Sequence, residues 1–114
     1  MTEFRSLVLT GLPKFSLNGW YSGGHWSKRK KLKDIYKLII KSQFNIVFPV
    51  SEYEVEYSFS FKKYPLDATN CTGMTKLIED IIFEDDGYKI IKKITIRSFK
   101  GESDFVKILV KEMK

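Results

Sequence analysis

The chain has 114 residues, 43% of them hydrophobic and 15% aromatic, and its formal net charge is +6. This length fits a single domain spanning residues 1–114, and the apolar content excludes an intrinsically disordered chain. The excess of basic residues favours a polyanion, such as nucleic acid, over an acidic protein as the partner.

The single cysteine and the single histidine exclude several kinds of site. Cys71 has no second cysteine for a disulfide or a cysteine-rich zinc site, and it forms no catalytic pattern with His25. We expect Cys71 to be a semi-buried residue at the start of a helix. No segment is as long as a membrane span, and the first residues do not resemble a signal peptide. A cytoplasmic protein with no membrane partner is therefore expected.

The first half of the chain predicts a strand, a loop and a helix. Residues 4–10 form a short apolar run that ends at a Gly-Leu-Pro sequence, which is typical of a strand. Residues 15–26 contain glycines and Asn18, which favour a loop. Ser27 is a suitable cap for a helix that begins at Lys28 and fades near residues 44–45. One face of this helix is apolar: Leu32, Ile35, Tyr36 and Ile39.

The second half predicts three strands and a second helix. Residues 52–62 alternate between apolar and polar side chains, which is typical of a strand with one buried face. Residues 74–81 repeat their apolar side chains at helical spacing, residues 88–97 and 105–111 predict two more strands, and 100–103 predicts a hairpin between those strands. The expected fold is α/β (α+β), a four-stranded mixed sheet with two helices on one face, in the order β-α-β-α-β-β.

Basic and aromatic residues are concentrated in the first helix and in the loop that precedes it. The basic residues are Lys28, Arg29, Lys30, Lys31, Lys33, Lys37 and Lys41. The loop contains Trp20, Tyr21, His25 and Trp26. Lysines neutralise phosphates, and aromatic rings stack on unpaired bases, so this region is a candidate nucleic-acid surface. The alternative is a solvated helix face with the tryptophans packed beneath the loop as core.

Acidic residues are grouped around the second helix. They are Asp67, Glu79, Asp80, Glu84, Asp85 and Asp86. Mg²⁺ prefers oxygen ligands and commonly binds one or two carboxylates together with a substrate phosphate. In a basic protein, such a group of carboxylates favours a metal that bridges them to a phosphate. The alternative is structural: Asp67 or Asn70 caps a helix, and residues 85–87 form a turn.

Three short motifs, taken in order, resemble the RusA family of Holliday-junction resolvases, and in particular its small phage and prophage members. The motifs are Leu66-Asp67-Ala68-Thr69-Asn70, Met74-Thr75-Lys76-Leu77-Ile78-Glu79-Asp80 and Glu84-Asp85-Asp86-Gly87-Tyr88. The upstream segments 16–21 and 25–30 are similar to the substrate loop and first helix of the same family. The resemblance extends over most of the chain.

The resemblance implies a homodimeric nuclease that cuts branched DNA with Mg²⁺ or Mn²⁺ and without an organic cofactor. Asp67 and Asn70 match an Asp-x-Asp-Asn segment of the family, and Asp86, with its neighbour Asp85, matches a distal aspartate pair. Lys76 is the candidate for the catalytic lysine. These matches imply that Asp67, Lys76 and Asp86 are catalytic, that Asp67, Asp85 and Asp86 bind the metal, and that Asn70 contacts DNA.

The chain departs from the family pattern at two places. Thr69 replaces the second aspartate, which removes one charge from the expected metal site. The connection from the second helix to Asp86 is short, so Asp86 reaches Asp67 only if that helix ends early, near Glu79 or Asp80. These departures leave open a DNA-binding module of the same fold without catalysis. A further alternative is a small RNA-binding or host-targeting phage protein, which rests on the charge and the aromatic residues alone.

Overall fold

The computed structural model describes residues 3–16, 26–85 and 87–113. The elements in chain order are β1 (Glu3–Thr10), α1 (Trp26–Gln43), β2 (Glu52–Phe61), α2 (Thr72–Ile82), β3 (Ile91–Lys100) and β4 (Phe105–Met113). The predicted order β-α-β-α-β-β, the four-stranded mixed sheet and the two helices are confirmed. The helix α2 continues to Ile82. A return of Asp86 to Asp67 requires this helix to end earlier, near Glu79 or Asp80.

Strand β2 supplies the central side chains of the core. Its odd-numbered residues, from Tyr53 to Phe61, are almost completely buried, whereas Glu52 and Glu56 on the other face are exposed. Because successive side chains of a strand point to opposite faces, the alternating sequence turns one face of the sheet towards the helices. Burial of each such apolar side chain contributes about 1.5–3 kcal/mol relative to exposure.

Each helix buries one face against the same core. On α1, Tyr36 and Ile40 are completely buried, and the Tyr36 hydroxyl donates to the Pro13 carbonyl oxygen. Burial raises the pKa of the Tyr36 hydroxyl. The predicted apolar face of α1 is wrong at Ile35, which is 46% exposed. The buried face is rotated from the predicted one and contains Ile40 in place of Ile35. Ile40 joins Tyr36 on this face because residues four positions apart are neighbours on the surface of a helix.

The start of α1 also differs from the sequence prediction. The helix begins at Trp26, so Ser27 lies inside its first turn and cannot be the N-cap residue. The end of α1 agrees with the prediction, and Gln43 joins it to the sheet. The Gln43 side chain accepts a hydrogen bond from the Thr10 backbone N–H at 2.8 Å and donates one to the Thr10 carbonyl oxygen at 2.7 Å.

The predicted hairpin between β3 and β4 is wrong. The strand order is β1-β4-β2-β3, so β2 lies between the two strands, antiparallel to β4 and parallel to β3. Residues 101–104 instead cross the end of β2. There the Gly101 N–H donates to the Phe61 carbonyl oxygen at 2.9 Å, and the Ser60 hydroxyl donates to the Ser103 carbonyl oxygen at 2.7 Å.

Strand β3 begins at Ile91, three residues after the predicted start at Tyr88. The backbone N–H groups of Ile90 and Ile91 both donate to the Gly87 carbonyl oxygen, so residues 87–90 form a turn instead of extended chain. The strand continues to Lys100, beyond the predicted end at Arg97.

Among the described residues, no helix has the length and apolar character needed to cross a membrane.

We expect Gly101→Ala to destabilise the fold and Ser60→Ala to relieve part of that effect. A Cβ atom at position 101 would overlap the Ser60 hydroxyl, which is buried and hydrogen-bonded to the crossing segment. Urea unfolding should show a loss of about 1–3 kcal/mol for Gly101→Ala. The double variant should lose less than the sum of the two single variants. Additive losses would show that the crossing does not depend on this contact.

Candidate nucleic-acid and metal site

Asp67 and Asn70 form a turn between β2 and α2. The Asp67 carboxylate accepts the Asn70 backbone N–H at 2.8 Å through Oδ1 and the Asn70 side-chain amide at 3.2 Å through Oδ2. Both residues are partly or fully accessible to solvent. Each carboxylate oxygen has two lone-pair sites, and Asn70 uses one on each oxygen. The carboxylate therefore keeps acceptor capacity for a metal ion or for water.

The residues beneath this turn hold it against β3. Cys71 lies at the start of α2, as expected from the sequence, but it is completely buried instead of semi-buried. The Ser98 hydroxyl donates to the Leu66 carbonyl oxygen. Burial raises the pKa of the Cys71 thiol, and the nearby negative charge of Asp67 acts in the same direction, whereas a hydrogen bond with Ser98 lowers that pKa. The thiol is therefore a packing group below the turn and not an activated nucleophile.

One stripe of α2 faces solvent. Lys76 and Asp80 are exposed and Thr72 is half-buried, while the remaining residues of the helix are buried. These three residues are four positions apart, so they lie on one face of the helix. Lys76 is in the half of α2 that is nearer to the Asp67 turn. Asp80, in the other half, pairs with Lys33 of α1 at 3.3 Å.

The basic residues of α1 lie on its accessible surface where the structure describes their side chains. Lys30, Lys31, Lys33 and Lys37 are exposed, and Arg29 is half-buried. Trp26 and Lys28 belong to the first turn of the helix, and their side chains lie outside the described part of the structure. The predicted aromatic loop residues Trp20, Tyr21 and His25 lie outside the described residues.

Gly73 places the start of α2 directly against the segment that leads into the predicted substrate loop. A Cβ atom built on Gly73 would lie 2.6 Å from the Phe15 carbonyl oxygen and 2.7 Å from the Ser16 carbonyl oxygen. Such distances are much shorter than a van der Waals contact, so only glycine allows this approach. The structure therefore brings the Asp67 turn close to residue 16, where the described part of the loop ends.

Asp85 lies at the other end of the sheet from Asp67. The Asp85 carboxylate accepts the Gly87 N–H at 3.0 Å, and the Gly87 carbonyl oxygen is bound by Ile91 at the start of β3. The Asp67 turn is held by Ser98, whose hydroxyl donates to the Leu66 carbonyl oxygen. Ile91 and Ser98, the attachment points of the two segments, are seven residues apart on β3, which is about 23 Å at about 3.3 Å per residue.

Asp67 and Asp85, two of the three predicted metal ligands, thus lie at two different places in one chain. The separation arises because α2 runs from the end of β2 back to its beginning, over 11 residues and about 16 Å. Asp86, the predicted distal ligand, lies outside the described residues. Within residues 3–16, 26–85 and 87–113, no three histidine, cysteine or acidic side chains are grouped as a metal-binding cluster.

The comparisons with known proteins assign no family to the chain. No protein-family model matches it, and no curated protein matches it. The resemblance to the RusA family rests on the sequence motifs alone.

Two features of the site are absent from the sequence analysis. Neither the contact of Gly73 with the loop segment nor the Lys33–Asp80 ion pair was predicted, because both join residues that are far apart in the chain. Glu79, which the sequence grouped with the candidate acidic residues, is instead buried and accepts a hydrogen bond from the Tyr57 hydroxyl at 2.7 Å. Glu79 therefore belongs to the helix–sheet interface, and the helical periodicity, which places it three and four residues before Ile82 and Phe83, is the available signal.

We expect Gly73→Ala to weaken both the fold and any function of the adjacent loop. The added methyl group would contact backbone atoms of residues 15–16, which cannot rotate away as a side chain can. Thermal or urea unfolding should show a loss of about 1–3 kcal/mol. Gly87→Ala is the matched control, since its Cβ would meet only the Asp85 carboxylate, at 3.4 Å. Equal stability of the two variants would contradict the close approach at Gly73.

Proposed function

We propose that this protein is a divalent-metal-dependent endodeoxyribonuclease that acts on branched DNA such as Holliday junctions, in a manner similar to the RusA family. The observation that carries the proposal is the Asp67–Asn70 turn, which is accessible to solvent and packed through Gly73 against the segment leading into the aromatic loop. The proposal includes a cytoplasmic location in the host of a phage or prophage.

The residues near the turn are suited to bind a phosphodiester. Asp67 offers hard carboxylate oxygens, which fit Mg²⁺ or Mn²⁺, and such an ion polarises a phosphate and activates a water molecule. Lys76, on the exposed stripe of the same helix, would stabilise negative charge that develops on the phosphate. Asn70 orients the Asp67 carboxylate through two hydrogen bonds and leaves it accessible.

The helix α1 would supply contacts to the DNA backbone. Lys30, Lys33 and Lys37 are exposed and recur at intervals of three and four residues, so they form one basic stripe. Each contact with a phosphate releases counterions, which strengthens binding at low salt concentration. The aromatic residues that precede α1 would stack on bases that a branched substrate leaves unpaired.

The separation of Asp67 from Asp85 leads us to propose that a complete metal site contains residues of two chains. The two attachment points are about 23 Å apart along β3, a distance that no carboxylate side chain spans. In a two-fold dimer a residue of one protomer can contact a different residue of its partner, and the same contact is repeated on the other side of the axis. The Asp67 turn of one protomer would then face the Asp85–Asp86 segment of the other.

We expect Asp67→Asn to abolish metal-dependent cleavage of a labelled four-way junction while binding to the junction is retained. Asparagine keeps an oxygen that can accept the Asn70 N–H but lacks the negative charge that holds the ion. Cleavage should be assayed with Mg²⁺, Mn²⁺ and EDTA, and binding by gel shift. Glu56→Gln is a control for the loss of one exposed carboxylate, since Glu56 lies in the middle of β2 on the face of the sheet that carries no helix. Undiminished cleavage by Asp67→Asn would exclude this role.

Mixing two inactive variants tests whether the site contains residues of two chains. If Asp67 and Asp86 act across a dimer, heterodimers of Asp67→Asn and Asp86→Asn contain one intact site, because both substitutions then fall in the other site. We expect refolded mixtures to recover single-strand nicking of the junction, whereas each variant alone stays inactive. Mixtures that form heterodimers and remain inactive would contradict the shared site.

A DNA-binding module of the same fold without catalysis is the second candidate. The observation that favours it is the division of the acidic residues, since the described parts of the chain hold no cluster of three candidate metal ligands. Thr69 at the position of the family's second aspartate acts in the same direction. This candidate predicts junction binding with steep salt dependence and no cleavage with any metal.

A further inference from the structure

The face of the sheet that carries no helix has a regular arrangement of side chains that the nuclease proposal does not use. The strand registers place the residues of this face in four rows across β1, β4, β2 and β3. The rows are Phe4–Lys111–Glu54–Lys93, Ser6–Leu109–Glu56–Thr95, Val8–Lys107–Ser58–Arg97 and Thr10–Phe105–Ser60–Phe99. We call this surface the open face.

Charge is distributed unevenly over the open face. Of the two rows nearer the start of β2, the first contains both signs, with Lys111 paired to Glu54 at 3.8 Å, and the second contains only the acidic Glu56. The other two rows contain Lys107 and Arg97 and no acidic residue. Both of these cations are exposed, and neither forms an ion pair with a described residue. One half of the open face therefore presents uncompensated positive charge.

An aromatic pair lies directly beside these cations. Phe99 and Phe105 are in the next row, and their rings pack edge to face with centroids 6.4 Å apart. Phe99 is 40% exposed although it belongs to a strand of the sheet. Ser58, on β2 between the two cations, adds little bulk, whereas Ser60 is buried against the crossing segment 101–104. Arg97 and Lys107 are about 10 Å apart, two interstrand spacings, on either side of Ser58.

We propose that this half of the open face binds single-stranded nucleic acid, with Arg97 and Lys107 on the phosphates and Phe99 stacked on a base. Flat aromatic surfaces beside cations are the usual means of binding unpaired strands, because every base has a face that can stack. In a duplex the bases are already stacked on one another, so an exposed ring on a sheet cannot reach them. The site is separate from the Asp67 turn, and its existence does not depend on cleavage.

A second copy of the chain fits this half of the open face less well than a polyanion does. Face-to-face packing of two sheets would bury lysines and glutamates, which are depleted in the centres of protein interfaces. Burial of Arg97 and Lys107 without acidic partners would carry a large desolvation cost. A phosphodiester strand supplies the missing negative charge along its whole length.

The test is fluorescence anisotropy with a labelled oligothymidylate of about 12 nucleotides, and in parallel with an oligouridylate, at several salt concentrations. We expect the variant with Arg97→Ala and Lys107→Ala to bind at least about tenfold more weakly and to lower the magnitude of the salt slope by about 1.4, for two lost phosphate contacts. Phe99→Ala should weaken binding by about 5- to 100-fold with little change in the salt slope. Comparison of the two oligonucleotides identifies the preferred strand.

The matched control carries Lys93→Ala and Lys111→Ala, which removes two positive charges from the row of the open face that also contains Glu54. A second control, Lys30→Ala with Lys37→Ala, removes the same charge from α1. Binding that falls equally in the first control, or only in the α1 control, would overturn the proposal. So would a dimer that becomes a monomer in the Arg97 and Lys107 variant, since a second copy would then cover the face. Circular dichroism and urea unfolding confirm that each variant is folded.

Discussion

The structure depends on the burial of one face of β2. Tyr53, Val55, Tyr57, Phe59 and Phe61 fill the space between the sheet and the two helices, and each is at most 3% exposed. The Tyr57 hydroxyl also donates to the buried carboxyl group of Glu79 on α2, and a buried polar group that loses its partner costs about 1–3 kcal/mol. This contact sets the position of α2 on β2, because a displaced helix would leave both groups buried without a partner.

The central position of β2 has two consequences for the rest of the molecule. First, β3 and β4 pair with opposite edges of β2, so the segment between them crosses the strand end and needs a glycine beside Ser60. Second, α2 returns along β2 to its beginning, which places Asp67 at one end of the sheet and Asp85 at the other. The same packing that stabilises the fold therefore keeps Asp67 and Asp85 apart within one chain.

The basic stripe of α1 and the open face lie on different sides of the sheet, because both helices pack on the same face of β2. The helices cover the face formed by the odd-numbered residues of β2, and α1 carries its basic stripe on the outside of that layer. The opposite face remains uncovered by any described element, and there Arg97 and Lys107 lie beside an aromatic pair.

The sequence by itself determined the elements and their order, since alternation in residues 52–62 and helical spacing in residues 74–81 are local properties. It also identified Asp67, Asn70 and the basic residues of α1 as candidates, because residue type and spacing are visible in the chain. Only the tertiary structure decided which strands are neighbours, that Gly73 contacts residues 15–16, and that Asp85 lies far from Asp67. These features depend on contacts between distant segments, and periodicity carries no information about which of two edges of β2 a later strand will join.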